Sequence, residues 1–330
     1  YLIGQFANDA GHTAQEFYTN RTVVTLMAEI LQPKPDESIY DPTCGSGGML
    51  IKSLTYLKDH GKEWRGVQVY GQEVNNLTAA IARMNLYLHG IVDFSIANAD
   101  TLREPAFTRG DRLQQFDVVL ANPPYSIKNW DRAAFQHDAY GRNILGTPPQ
   151  GRADYAFIQH IIASMDEKRG RCAILLPHGI LARDEEKDIR AKLVELDVVD
   201  CIIGVGRNLF YNSPMEACIL ICRSKKADER KGKVQFIDAK SFVTRKNGES
   251  SLSTEHIQEI AKLYRSDEAV SGKSNLVEIS EIQKNNNMLS ISLYVQSEAN
   301  NNYDLDELMN NFDDAAKDVR VELHKLLDVL

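Results

Sequence analysis

Between residues 38 and 222, short β-rich runs alternate with amphipathic helical ones, and no other feature limits this chain as tightly. Strand candidates occupy residues 38–40, 67–72, 93–97, 116–121, 172–176, 199–205 and 217–221. Helical patterns fill residues 48–57, 76–89, 155–165 and 185–196. Alternation of this kind predicts a mostly parallel α/β sheet covered by helices on both faces. Such sheets bind ligands at the carboxyl ends of their strands, near the point where strand order reverses. The last two strand candidates have no helix between them and predict a β-hairpin at the sheet edge, which makes the sheet mixed.

The flanking segments differ. Residues 126–152 are polar and contain Gly141, Gly146, Pro148, Pro149 and Gly151 without clear periodicity, the mark of a functional or disordered loop. After Ser224 a charged stretch at 225–233 precedes another strand-like run at 234–237, and Asn-rich patches follow at 285–287 and 300–302. The chain ends in a helical pattern over 305–330. The expected division is an α/β domain over 1–224, an irregular α/β extension over 225–303 and a partner-docking helix over 304–330.

A chain of 330 residues, 43% hydrophobic, can bury a substantial core. With 38 basic against 46 acidic residues its net charge is −8, which argues against gripping a polyanion by overall charge. A local basic groove, or a partner that supplies the grip, stays compatible with it. No apolar run approaches the roughly 20 residues of a membrane helix, and Tyr1 to Asn8 lack a secretory pattern. The expected setting is therefore cytoplasmic, away from membranes. Cys44, Cys172, Cys201, Cys218 and Cys222 form no CxxC pair, so neither a zinc site nor a disulfide framework is expected. The start at Tyr1 rather than Met suggests a fragment or a trimmed chain.

The stretch Tyr40-Asp41-Pro42-Thr43-Cys44-Gly45-Ser46-Gly47-Gly48 follows a strand and opens a helix. Glycines there admit close approach of the backbone to a ligand. Taken alone this is a tight βα turn. Its spacing does not fit the dinucleotide fingerprint, and it lacks the Gly-Lys-Ser/Thr ending of a P-loop. The strand at 67–72 ends in Glu73, placed to chelate the two hydroxyls of a ribose. The next strand leads into Asn98-Ala99-Asp100-Thr101-Leu102, where Asp100 can accept from an adenine amino group. Asp41 can take an ammonium. Singly each acid reads as a solvated loop carboxylate, but three strand-end acids in order suit a ligand with a cation, a ribose and an adenine, such as S-adenosylmethionine.

The buried strand at 116–121 runs into Asn122-Pro123-Pro124-Tyr125. Two prolines fix an extended, rigid turn, which alone would simply stop a strand. Asn122 and the Pro123 carbonyl, however, present two acceptors at one spot, with the Tyr125 ring beside them. Pulling on both protons of a conjugated amine favours a pyramidal nitrogen with an available lone pair. Tyr125 can stack on an extruded base. The absence of Cys after Pro123 argues against cytosine-C5 chemistry, which requires a thiolate nucleophile.

These motifs resemble the modification (methyltransferase) subunits of type I restriction–modification systems, adenine-N6 DNA methyltransferases of the class I S-adenosylmethionine-dependent fold. That fold is Rossmann-like, with a mixed, mostly parallel seven-stranded sheet. The resemblance rests on Gln15-Glu16-Phe17-Tyr18-Thr19, Asp41 to Gly48, Gly71-Gln72-Glu73, Asn98 to Leu102 and Asn122 to Tyr125. It extends through Arg152-Ala153-Asp154-Tyr155-Ala156-Phe157 and Asn208-Leu209-Phe210-Tyr211. It implies that Gln15, Glu16, Phe17, Tyr18 and Thr19 close over the cofactor. Asp41, Thr43, Cys44, Gly45, Ser46, Gly47, Glu73, Asp100 and Thr101 would line the same pocket, while Asn122, Pro123, Pro124 and Tyr125 hold the target adenine. It also implies double-stranded DNA, a specificity subunit and a restriction subunit as partners. The family's N-terminal helical region is expected to be missing, because few residues precede Gln15. The family usually has Pro where this chain has Asn20, and a Pro where it has Val205-Gly206; neither change removes a chemical group the reaction needs.

At the C-terminus Leu305, Leu308, Phe312, Ala315, Val319, Leu323, Leu326 and Leu330 make a heptad-like stripe, which suits either packing on its own domain or docking of a second subunit. Arg142, Lys128 and Arg152 are candidates for contacts to a nucleic-acid backbone. Two other functions fit less well: methyl transfer to a protein glutamine amide, and a non-catalytic scaffold.

Overall fold

The computed structural model of the chain describes residues 19–206, 209, 216–246 and 249–296. Helix α1 (Arg21–Leu31) is capped by Asn20, whose Oδ1 accepts the Thr22 N–H at 3.0 Å. The Asn that replaces the family's usual Pro therefore satisfies one of the helix's free first-turn donors.

The order continues with β1 (Ser38–Asp41), α2 (Gly48–Asp59), β2 (Gln68–Glu73), α3 (Asn76–Leu88), β3 (Phe94–Asn98), β4 (Val118–Ala121), α4 (Arg132–Gln136) and α5 (Asp154–Ala163). It closes with β5 (Arg171–Pro177), α6 (Lys187–Glu195), β6 (Val199–Val205), β7 (Ala217–Arg223), β8 (Lys233–Ala239), α7 (Thr254–Arg265) and β9 (Ser274–Glu278). Among the described residues these strands form one nine-stranded sheet in the order β9-β8-β6-β7-β5-β4-β1-β2-β3.

Alternation along each strand splits the core into two layers. In β5, Ala173 and Leu175 share a core with α1, α2 and α7, while Cys172, Ile174 and Leu176 share the other with α5 and α6. A strand covered on both faces reads as a continuous apolar run, which β5 does from Cys172 to Leu176 and β7 from Ala217 to Cys222; β6 interrupts the run with Asp200, buried and paired with Arg223 at 3.3 Å. Arg171 anchors α1 to the sheet from β5. Its guanidinium donates to the carbonyls of Leu31 and Gln32 and pairs with Glu37.

The hairpin expected at the sheet edge lies elsewhere. β6 and β7 are antiparallel, but β7 is wedged inside the sheet, paired on its other side with β5. β6 is in turn flanked by β8, in parallel register from Gln235↔Cys201 to Ala239↔Val205. The physical reason is that the run from Ala217 to Cys222 is apolar at every position and fully buried, a pattern no solvent-facing edge supports. The segment after Ser224 thus continues the sheet through β8 and β9, so two strands are added to the expected seven. Helix α7, opened by a capping box on Ser253, shares a core with α1. The region 126–152 is ordered rather than open: it contains α4, and Trp130 and Arg132 donate to the carbonyls of Gln150 and Pro148.

All five cysteines are buried and unbridged. Among the described residues no helix is long and apolar enough to cross a membrane. The striped segment over 305–330 lies outside the described residues.

Candidate active site

The chain leaves β1 towards β2 and β3, then returns on the other side of β1 as β4, paired in parallel at Ile39↔Val118 and Tyr40↔Val119. The glycine loop after β1 and the turn after β4 therefore leave the sheet at neighbouring carboxyl ends. This is the switch point at which open sheets take ligands.

On the β1–β2–β3 side the loop is held by backbone and carboxylates. Gly45 and Gly47 adopt φ of 53° and 81°, the left-handed region that glycine enters without strain. The Cys44 N–H donates to the Gln72 carbonyl at 2.9 Å, and its thiol lies under Gly71. A Cβ on Gly71 would stand 2.9 Å from that sulfur and 2.6 Å from Ile96 Cδ1, so only glycine lets the loop approach β2. Asn85 of α3 donates to the Ser46 carbonyl from the far side.

Asp41 is buried and accepts the Thr43 N–H at 2.9 Å. Loss of hydration raises its carboxyl to about 7 against the opposing Thr43 N–H, and the Glu73 charge adds to the rise. Thr43 Oγ1 is buried with no partner among the described residues. Glu73 spans the loop, one oxygen accepting the Gly45 N–H at 3.1 Å and the other the Asn75 N–H at 2.8 Å. Each oxygen retains acceptor capacity. Asp100 is exposed, and its Oδ1 accepts the N–H groups of Leu102 and Arg103 at 2.9 and 3.2 Å. Thr101 is buried, its hydroxyl donating to the Pro42 carbonyl and so tying the Asp100 loop to the glycine loop.

On the β4 side Asn122 is half-buried. Its Nδ2 donates to Thr19 Oγ1 at 2.9 Å, and its Oδ1 is buried without a partner among the described residues. Thr19 thus meets the asparagine. Gln15, Glu16, Phe17 and Tyr18 lie outside the described residues, as do Asn208, Phe210 and Tyr211, while Leu209 is buried. Pro123 is buried, with Pro124 and Tyr125 half-buried. Burial, and the nearby Cys218 and Asp154, push the Tyr125 hydroxyl well above its ordinary pKa, so it stays neutral. Just past the turn Ser126 takes a φ of 50°, held by donation of its N–H to Asp154 Oδ1 at 3.0 Å. Asp154 is fully buried, and its other oxygen accepts from Arg183 at 2.9 Å.

Arg142 does not face a nucleic-acid backbone. It is 2% exposed and committed to internal partners, Asp138 foremost, because a packed loop needs its carbonyls and its acid satisfied. Lys128 is exposed, and Arg152 pairs with Glu185 at 3.3 Å. Three contributors carry little signal in the sequence. Gln72 is fully buried and spends its whole amide on Ala99, Glu104 and Ala106; the sequence showed it only as a polar residue at an inward strand position and a member of the Gly71-Gln72-Glu73 motif. Asn85 hides within an ordinary helix. His178, at the carboxyl end of β5, donates its backbone N–H to the Glu216 carbonyl and has a buried Nε2 without a partner among the described residues. Burial, then Lys240, hold its pKa below the usual value.

A central order of β3-β2-β1-β4-β5-β7-β6, with β7 alone reversed, is the arrangement of class I S-adenosylmethionine-dependent methyltransferases. A Listeria monocytogenes protein described as such a methyltransferase superposes with a TM-score of 0.53 over 66% of this chain and 62% of its own, at 20% identity. The chain belongs to the N-6 DNA Methylase family, which its residues 1–303 match. It is 36% identical over 294 residues to the type I restriction enzyme MjaVII methylase subunit of Methanocaldococcus jannaschii, covering 85% of this chain and 49% of that one. It is 32% identical to the MpnII methylase subunit of Mycoplasma pneumoniae, over 99% of this chain and 62% of that one. The type I restriction–modification methyltransferase subunit of Streptococcus thermophilus superposes with a TM-score of 0.80 at 35% identity, over 90% of this chain and 62% of its own. The chain thus spans about half to three-fifths of the length of these relatives.

Proposed function

We propose that the chain is the catalytic part of an adenine-N6 DNA methyltransferase subunit of a type I restriction–modification system. It would act in the cytoplasm on double-stranded DNA with a specificity subunit and a restriction subunit. The observation that carries this reading is the buried Asn122 Oδ1, without a partner among the described residues, at the switch point one strand from the glycine loop.

The residues present suit S-adenosylmethionine. Asp41 offers a buried carboxylate for an ammonium, Thr43 Oγ1 an unused polar atom, Glu73 two oxygens for a ribose diol, and Asp100 an acceptor for an adenine amine. By family resemblance Gln15 to Thr19 would cover the site. Bound there, S-adenosylmethionine supplies a methyl group that is already strongly electrophilic.

The protein's task is then positioning and electrostatics. Asn122 Oδ1 and the Pro123 carbonyl accept the two protons of the adenine amine, which turns its lone pair out of conjugation. The Tyr125 ring, kept neutral, stacks on the extruded base. Asp154 holds the exit of the turn through Ser126, so both acceptors stay fixed.

The test is transfer of labelled methyl to unmodified genomic DNA, with and without the specificity subunit, followed by mapping of the modified base. N6-methyladenine is expected. Label entering protein glutamine instead, or undiminished transfer by Asn122→Ala, would overturn the reading.

A further inference from the structure

Arg142 lies in the segment that follows the catalytic turn, yet its side chain reaches to the cofactor half of the sheet. One terminal nitrogen donates to the Thr101 carbonyl at 2.9 Å and the other to the Leu102 carbonyl at 2.8 Å. Nε donates to Asp138 Oδ1 at 2.8 Å, and the second terminal nitrogen reaches the same oxygen. Phe135 and Tyr140 lie against the guanidinium at 5.5 and 5.4 Å. The group is 2% exposed, so it touches no substrate directly.

The two carbonyls belong to the residues immediately after Asp100. Asp100 already takes the N–H groups of Leu102 and Arg103. The short loop is thus gripped by its own carboxylate on the donor side and by Arg142 on the acceptor side. Thr101 carries the grip on to Pro42 in the glycine loop. A second strand of contacts runs through His160, whose Nδ1 lies 3.3 Å from Arg142 and whose Nε2 lies 3.1 Å from the Tyr40 hydroxyl. An arginine can only donate, so Nδ1 accepts and the ring proton sits on Nε2. Tyr40 directly precedes Asp41.

We propose that Arg142 is the positioning residue for the adenine end of the cofactor pocket, joining that pocket's shape to the loop beyond the catalytic turn. The inference rests on the cofactor reading given above. Only a planar fork of donors spans two successive carbonyls and a carboxylate at once; a lysine ammonium is a single point charge.

The test uses the full chain. Arg142→Lys keeps a cation opposite Asp138 while losing the fork. Dissociation constants are measured for S-adenosylmethionine and for 5′-methylthioadenosine, which lacks the amino-acid end. Both are expected to weaken together by about 10–100-fold, as for loss of one or two charge-assisted hydrogen bonds, while kcat at saturating cofactor changes by less than about threefold. Leu193→Ala, on α6, a helix that carries none of the groups Arg142 touches, supplies a comparable loss of thermal midpoint with unchanged affinity, which separates positioning from general destabilisation. If Arg142→Lys does not fold, the charge-free pair Asp138→Asn with Arg142→Gln is measured in its place, with the same expectation. Affinity within twofold of wild type, or equal weakening by Leu193→Ala, overturns the proposal. Failure of the wild-type chain itself to bind S-adenosylmethionine overturns the cofactor reading instead.

Discussion

Along the carboxyl edge of the sheet, the β1–β2–β3 half and the β4–β5 half hold their polar groups in opposite ways. In the first, Gln72 is satisfied at every amide position, Glu73 bridges two backbone donors, Asp100 is bonded within its own loop and Thr101 to the glycine loop. Thr43 Oγ1 is the exception. In the second, Asn122 Oδ1 and His178 Nε2 are buried without partners among the described residues. A buried acceptor left bare costs about 1–3 kcal/mol, a cost a fold bears where a ligand completes the bond. On the proposed function, the comparison teaches that the cofactor half is built before binding, whereas the substrate half is completed by what it binds.

That contrast yields four measurements. The largest effect belongs to Asn122→Ala, expected to lower methyl transfer to DNA by about 10²–10³-fold, as removal of one preorganised transition-state partner does elsewhere. Cofactor affinity should be unchanged; a matching loss of affinity would erase the division between the halves. Next, Gly71→Ala forces a Cβ against Ile96 and Cys44 and should destabilise the chain by about 1–3 kcal/mol in denaturant unfolding. A neutral result would mean that the loop need not lie so close to β2.

The third concerns pH. A carboxyl whose folded pKa is about 7, above its ordinary 3.8, stabilises the fold when protonated. That contribution is full below about pH 4 and is lost as pH rises through 7. Cation binding needs the carboxylate, so cofactor affinity should rise up to about tenfold per pH unit below 7 and level off above it. Calorimetry should record uptake of about one proton by buffer at pH 6, and Asp41→Asn should bind weakly with a flat profile. The smallest effect is expected from Thr19→Val, which removes the partner of Asn122 Nδ2: kcat should fall about three- to tenfold with cofactor affinity retained. Thr19→Ser should behave as wild type in a steady-state assay.

The alternation that predicts the sheet also placed the glycine loop and the Asn122 turn at the ends of the correct strands, because period-2 and period-3.6 patterning is local. Two kinds of feature escaped it. Helix α1 is rich in β-branched residues, Thr22, Val23, Val24 and Thr25, and becomes helical because Asn20 caps it and α2 and α7 cover it. The interior place of β7 depends on which strand it pairs with, which no window of residues records. At the site, the acids were visible as strand-end residues, but the reach of Arg142 was not. A charged residue in a polar loop looks solvated until the fold closes over it.

Asn20 and Thr22 find their partners 230 positions further on, at the Ser250 carbonyl and the Leu252 N–H. Synthesis proceeds from the other end, so every residue of the catalytic turn emerges from the ribosome long before the piece that moors Thr19 beside it. A nascent chain stopped short of Ser250 would display all the signature residues and still lack the tether that orients the asparagine. On the proposed function, activity is acquired late in biogenesis, once the two distant ends of the described fold meet.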